Sequence, residues 1–163
     1  MIPHDIENRA AAVLAHLRTR GLRAATVESC TGGLVAGALT AVPGSSDVVE
    51  RGFVTYSNEA KSELVGVPAS LIAAHGAVSE PVARAMAEGG LAHSRADVTV
   101  AITGVAGPGG GSDLKPVGLV HFAAVRRGGG TLHLERRYGD LGRAGIREAA
   151  VRDALDLLER ASA

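Results

Sequence analysis

The chain has one cysteine in 163 residues. A lone thiol excludes an internal disulfide and a cysteine-rich zinc site, and it fits a reducing compartment. Tryptophan is absent, and Phe and Tyr number two each. So few aromatic faces leave no stacking platform for single-stranded nucleic acid. Net charge is also missing, because 17 Lys and Arg balance 17 Asp and Glu. A general nucleic-acid binder carries a basic excess, and none exists here. No stretch approaches the roughly 18 apolar residues of a membrane span. The start, Met1-Ile2-Pro3-His4-Asp5, lacks the basic-then-apolar order of a signal peptide. These absences predict a cytoplasmic protein with no nucleic-acid or membrane partner.

What is present is a core-forming composition, 46% hydrophobic, built mainly from Ala, Val and Leu. The length fits one domain over residues 1–163. Glycine is abundant, at 22 residues. The glycines cluster and do not recur every third position, so the chain is not collagen-like.

Apolar periodicity predicts a helix from Asp5, as its cap, to Arg20, with Gly21 as the stop. Ile6, Ala10, Val13, Leu14 and Leu17 form its stripe. A strand is expected over Leu22–Glu28, then a small-residue helix over Thr31–Ala41 ended by Pro43-Gly44. Ser45 or Ser46 caps a short turn over Asp47–Glu50. Gly52–Tyr56 reads as a strand. Ser57 or Asn58 caps a helix holding Lys61 and Leu64, stopped at Gly66. Another short helix spans Pro68–Ala74, ended by Gly76. Ser79-Glu80-Pro81 opens a helix to about Arg95. Asp97–Thr103 is a buried-strand pattern, followed by a glycine-dense loop over Gly104–Lys115. Val117–Val125 and Thr131–Tyr138 form a hairpin across Gly128-Gly129-Gly130. Gly142–Ala161 closes the chain as an amphipathic helix. This order predicts an α/β fold: a single three-layer α/β/α sandwich with a mixed sheet.

Four segments carry residues suited to chemistry. Glu28-Ser29-Cys30-Thr31-Gly32-Gly33 lies where a strand becomes a helix. Free N–H groups at a helix start attract an anion or a developing oxyanion, and Ser29 places a hydroxyl beside them. The plain alternative is that Ser29 and Thr31 only cap the helix. Pro43-Gly44-Ser45-Ser46 reads alone as a turn and cap. Lys61 falls in the first turn of its helix, where dipole and burial both disfavour a cation. A neutral lysine takes a proton from serine, as a general base does; an ordinary solvated lysine is the alternative. Thr103-Gly104-Val105-Ala106-Gly107-Pro108-Gly109-Gly110-Gly111-Ser112 follows a buried strand, the usual ligand address in an open α/β sheet. It is neither a P-loop nor a full dinucleotide fingerprint, yet its backbone suits a phosphate or an oxyanion.

The six histidines show no metal-binding spacing, so no metal is expected. Arg143, at the start of the last helix, is placed to reach a substrate phosphate. Arg136 and Arg147 read as a solvated helix face.

Taken in order, Glu28–Gly33, Pro43–Ser46, Arg51–Lys61, His75–Glu80, Thr103–Pro108 and Lys115-Pro116-Val117-Gly118 closely resemble the C-terminal domain of the CinA (competence/damage-inducible) family, the nicotinamide-nucleotide amidases. The resemblance covers nearly the whole chain. It implies hydrolysis of the carboxamide of nicotinamide mononucleotide to nicotinic acid mononucleotide and ammonia, without a cofactor, in pyridine-nucleotide salvage. Many family members carry a molybdopterin-binding-like domain ahead of this one. None precedes it here, so the expectation is the stand-alone form.

Carried over by position, the resemblance implies catalytic roles for Ser29, Ser46, Lys61 and Tyr56. Ser29 attacks, and Lys61 accepts its proton directly or through Ser46. The reverse assignment, with Ser46 attacking, stays open. Tyr56 packs on the pyridine ring or hydrogen-bonds near Lys61. N–H groups of Thr31-Gly32 or Thr103-Gly104 hold the oxyanion, and Gly107–Gly111 with Arg143 hold the phosphate. The partner expected is a small nucleotide, and small α/β enzymes often assemble as symmetric homo-oligomers. The rival reading is a non-catalytic nucleotide- or protein-binding module linked to competence or DNA damage.

Overall fold

Three Val-, Ala- and Thr-rich stretches become the middle of the sheet. They are β1 (Ala24–Glu28), β3 (Val98–Gly104) and β4 (Leu119–Arg126). All are buried almost end to end, as strands covered on both faces must be. β2 (Val49–Val54) and β5 (Thr131–Arg137) carry charges, and they form the two edges, where charge blunts unwanted pairing. The order is β2-β1-β3-β4-β5 in a computed structural model that describes residues 1–163. β1 runs parallel to β2 and β3, while β3, β4 and β5 are antiparallel in turn. The sheet is therefore mixed, with helices on both faces.

One face is covered by α1 (His4–Thr19), α2 (Leu34–Thr40) and α6 (Gly142–Ala161). Leu14, Leu17, Leu39, Ile102, Phe122 and Leu155 are fully buried there. The other face is covered by α3 (Asn58–Val65), α4 (Ala69–His75) and α5 (Glu80–Ala92), over a smaller core including Val27, Val65 and Met86. Gly89 and Gly90 explain how closely α5 lies. A Cβ on Gly90 would stand 2.4 Å from a Val27 methyl, and one on Gly89 1.9 Å from the Val65 carbonyl oxygen.

Several boundaries move from their expected places. α1 begins at His4 without a side-chain cap, and Asp5 instead pairs with Arg152 of α6. β2 starts three residues earlier than expected, because an edge strand tolerates Glu50 and Arg51. Ser45–Asp47 form a single 3₁₀ turn, again without a side-chain cap. Ser57, not Asn58, caps α3 by accepting from the Ala60 N–H at 3.0 Å. A shift equal to that of β2, but in the other direction, is at α2, which begins at Leu34 and not Thr31. Gly32 and Gly33 have φ of 59° and 103°, so the chain makes a left-handed turn before it can wind into a helix.

This topology sets an address. β1 and β3 end side by side, with Glu28 opposite Ile102, and β2 ends next to them at Val54. The chain leaves β1 toward β2 and leaves β3 toward β4. Open α/β sheets bind ligands in the crevice at the carboxyl ends of strands where the order reverses.

Candidate active site

That crevice holds a cleft of ≈ 310 Å³. Ser29, Cys30, Tyr56, Lys61, Thr103, Gly104, Gly107 and Arg143 are among its walls. Ligand pockets run roughly 300–1,000 Å³, so the cleft suits a small ligand.

Ser29 is the first residue after β1. Its N–H donates to the Ile102 carbonyl at 2.9 Å, which extends the ladder to β3 and holds the residue rigidly. Lys61 comes from α3, the fourth residue of that helix. It is 1% exposed, the largest of the fully buried side chains. Its Nζ stands 3.2 Å from Ser29 Oγ and 3.1 Å from the Thr55 carbonyl, with the Tyr56 and Ser57 carbonyls at 3.4 and 3.5 Å. These neighbours are all uncharged. Burial therefore pushes the Lys61 amine below its ordinary pKa. As it stands the amine donates to Ser29 Oγ and faces three backbone carbonyls; when neutral, the same nitrogen has a lone pair within reach of the serine proton.

The start of α2 serves a different purpose from the one expected. The Glu28 side chain turns into it and is 1% exposed. One carboxylate oxygen accepts from the Thr31 hydroxyl at 2.7 Å and the Val35 N–H at 2.9 Å; the other accepts from the Ala36 N–H at 3.0 Å. Glu28 thus occupies the helix donors itself, so α2 offers no anion site to a substrate. Ser29 and Thr31 are not helix caps either. Ser29 begins a tight turn in which its carbonyl accepts from the Gly32 N–H at 3.0 Å. Gly32 is thereby withdrawn as an oxyanion donor, and Thr31 is fully buried outside the cleft wall. The Cys30 N–H, of the residue that follows Ser29, donates to no backbone oxygen and lies against its own thiol sulfur. The Cys30 thiol is buried, and burial pushes it up to about 12, so it is inert as a nucleophile.

The opposite wall is β3 and its loop. The Thr103 hydroxyl donates to the Ala77 carbonyl at 2.9 Å, which ties the α4–α5 connection to the cleft. Gly104 ends β3 against Val120. Arg143 spans the mouth, donating to the Gly107 carbonyl at 2.7 Å and to the Tyr56 hydroxyl at 3.0 Å. Tyr56 is 59% exposed, so its ring is open to a ligand.

Ser46 is not in this cleft. It lies exposed on the 3₁₀ turn that precedes β2, at the amino end of the parallel pair, whereas Ser29 follows the carboxyl end. Five strand residues separate the two ends, roughly 15 Å or more. Arg147, expected on a solvated face, reaches the turn that Ser29 opens instead: its Nε donates to the Cys30 carbonyl at 3.1 Å. Its spacing of four from Arg143, which puts both on one helix face, was the available signal. Arg136 is solvent-facing but lies on strand β5 and not on a helix, paired with Asp153 at 3.2 Å.

A serine hydroxyl held against a buried lysine amine, at the carboxyl end of an α/β sheet, defines the class: a small α/β domain with a serine–lysine site. The comparisons carry it further. A model of the CinA C-terminal domain matches residues 6–162. The CinA-like protein of Synechococcus sp. (strain RCC307) is 56% identical over 155 residues, 94% of this chain and 37% of the relative. The crystal structure of the competence/damage inducible protein CihA from Agrobacterium tumefaciens superposes with a TM-score of 0.97 at 53% identity, covering 100% of this chain and 99% of that one. A CinA superfamily protein from Escherichia coli gives 0.89 at 38% identity, over 94% and 88% of the two chains. The chain belongs to the CinA C-terminal domain family. It spans just over a third of the length of the curated relatives it matches. No helix is long and apolar enough to cross a membrane.

Proposed function

We propose that this domain is a nicotinamide-nucleotide amidase acting through Ser29 and Lys61. The observation that carries this reading is the 3.2 Å approach of the Lys61 amine to the Ser29 hydroxyl, inside a buried and uncharged pocket. Lys61 takes the hydroxyl proton as Ser29 Oγ bonds to the carboxamide carbon. The resulting oxyanion is held by N–H donors of the turn, first among them that of Cys30, the residue after the nucleophile. A well-placed donor of this kind contributes about 3–4 kcal/mol. Lys61 then returns the proton to the departing nitrogen, and the C–N bond breaks to release ammonia. A nicotinoyl ester on Ser29 remains. Water attacks it as Lys61 accepts a proton from the water; the ester C–O bond breaks, Lys61 returns the proton to Ser29 Oγ, and nicotinic acid mononucleotide leaves.

The rest of the cleft supports a nucleotide. A pyridinium ring fits the open face of Tyr56, where a cation and an aromatic ring attract. Arg143 keeps N–H donors free beyond its two present bonds, and the exposed Gly109 and Gly110 lie beside it, so the phosphate belongs at this mouth. Ser29 is the nucleophile in this reading, and Ser46 is outside the chemistry.

An ammonia-release assay on nicotinamide mononucleotide tests the proposal, with nicotinamide and a nucleoside as controls. Ser29→Ala should abolish turnover and the acyl adduct seen by mass spectrometry, while Ser46→Ala should stay within about twofold of the unsubstituted protein. Near-normal turnover by Ser29→Ala refutes the assignment. A protein that binds the nucleotide but releases no ammonia favours the rival reading, a binding module.

A further inference from the structure

Seven of the fifteen arginines, Arg9, Arg18, Arg51, Arg84, Arg136, Arg137 and Arg152, form ion pairs with a carboxylate. Arg147 is half-buried and pairs with none. Its acceptors are two consecutive backbone carbonyls, Cys30 at 3.1 Å and Thr31 at 3.4 Å. Those carbonyls belong to the two central residues of the turn that Ser29 opens and Gly32 closes. A fork of fixed N–H groups on adjacent carbonyls sets the rotation of both peptide planes, because each plane is rigid.

We propose that Arg147 is a positioning residue for the Ser29 turn: it fixes the Cys30–Thr31 and Thr31–Gly32 peptide planes, and together with the Gly32 N–H on the Ser29 carbonyl this sets the backbone that carries the Cys30 N–H. This deepens the serine–lysine reading and rests on it. Glu28 holds the turn from the inside, through the Thr31 hydroxyl and the first N–H groups of α2. Arg147 holds it from the outside. The guanidinium, which no carboxylate neutralises, also polarises the two peptides it binds. Gly32 belongs to the same arrangement. A Cβ there would stand 3.4 Å from the Arg147 guanidinium, at a φ of 59° that glycine adopts without strain.

The experiment compares Arg147→Gln and Arg147→Lys in two measurements. One is turnover of nicotinamide mononucleotide; the other is labelling of Ser29 by a fluorophosphonate, which needs an activated serine but no substrate recognition. Arg147→Gln should lower kcat roughly 10- to 100-fold with KM changed by less than about threefold, and should slow labelling to a similar degree. Arg147→Lys should recover part of both, because an ammonium reaches one of the two carbonyls. The pH dependence assigned to Lys61 should not move in either variant. Labelling of Arg147→Gln at the unsubstituted rate overturns the proposal, as does a raised KM with kcat retained. If Arg147→Gln does not fold, as judged by circular dichroism, Arg147→Lys decides on the same criteria. Labelling of Ser29 without turnover removes the amidase reading, and the labelling rates then still decide the role of Arg147. No labelling of Ser29 in the unsubstituted protein overturns both.

Discussion

Replacing Lys61 by methionine separates chemistry from stability. Methionine has the length of the lysine stem and is apolar, so the 1% exposed site stays filled. The Thr55 carbonyl, the nearest acceptor at 3.1 Å, loses its side-chain donor. One unsatisfied buried acceptor costs about 1–3 kcal/mol, and removing a buried amine offsets part of that. The expected net change at pH 7 is within about 2 kcal/mol, small beside a typical 5–15 kcal/mol total. Turnover should instead fall by about 10²- to 10⁴-fold, the share of a general base. The pH dependence gives a second readout. Burial lowers the folded-state pKa of Lys61 below its ordinary 10.5. Between those two values the unfolded chain binds more protons than the folded one, so Lys61 makes stability rise with pH across that window. The slope for one proton is at most about 1.4 kcal/mol per pH unit. Lys61→Met removes it. Urea melts across pH 7–10.5, with ammonia release over the same range, measure both. Below the folded-state pKa the amine is charged, so activity should rise with pH through that value. The reasoning is refuted if Lys61→Met keeps turnover within tenfold, or if its stability–pH curve superimposes on that of the unsubstituted chain.

Two further outcomes follow from the same geometry. Glu28→Ala leaves the Thr31 hydroxyl and two N–H groups of α2 without their acceptor, so urea unfolding should show a loss of about 2–5 kcal/mol, while Glu28→Gln, which keeps one carbonyl acceptor, should lose less. Arg143→Ala should raise KM for the mononucleotide by about tenfold or more and leave KM for the unphosphorylated nucleoside nearly unchanged, with steady-state assays of both substrates as the check.

The elements legible in the sequence were those set by short-range pattern. The stripe of α1 (Ile6, Ala10, Val13, Leu14, Leu17) is buried as its spacing implies, and α6 spans Gly142–Ala161 as read. The mixed sheet followed from helices and strands alternating before a final hairpin. Long-range partners were not legible. Nothing local in Glu28 says that its carboxylate will turn back onto Val35 and Ala36, because a glutamate ending a strand more often faces water. Arg147 lies 117 residues from Cys30 in the chain, so only the fold reveals their contact. The pair formed by His121 and His133, whose rings stack at 5.2 Å, was invisible for the same reason: it needs the β4–β5 register. Ser46 shows the converse error. Its segment was read by resemblance, which gives order along the chain but not which end of a strand a residue reaches.

The Glu28 side chain changes how the candidate site works. A helix start can give its free N–H groups to a substrate or to the protein, but not to both. Here α2 gives the Val35 and Ala36 N–H groups to Glu28, and a negative side chain then stands where a substrate anion would have gone. In the proposed reaction the oxyanion is met instead by the turn between Ser29 and Gly32, whose donors are fixed by turn geometry and not by a helix axis. A turn is softer than a helix, so it needs outside support. Glu28 and Arg147 supply that from opposite sides, with opposite charge. The positive partner touches the carbonyls of the turn and the negative one its hydroxyl and the helix beyond. The turn is thus held between a positive and a negative side chain, a local charge separation within a chain that carries no net charge.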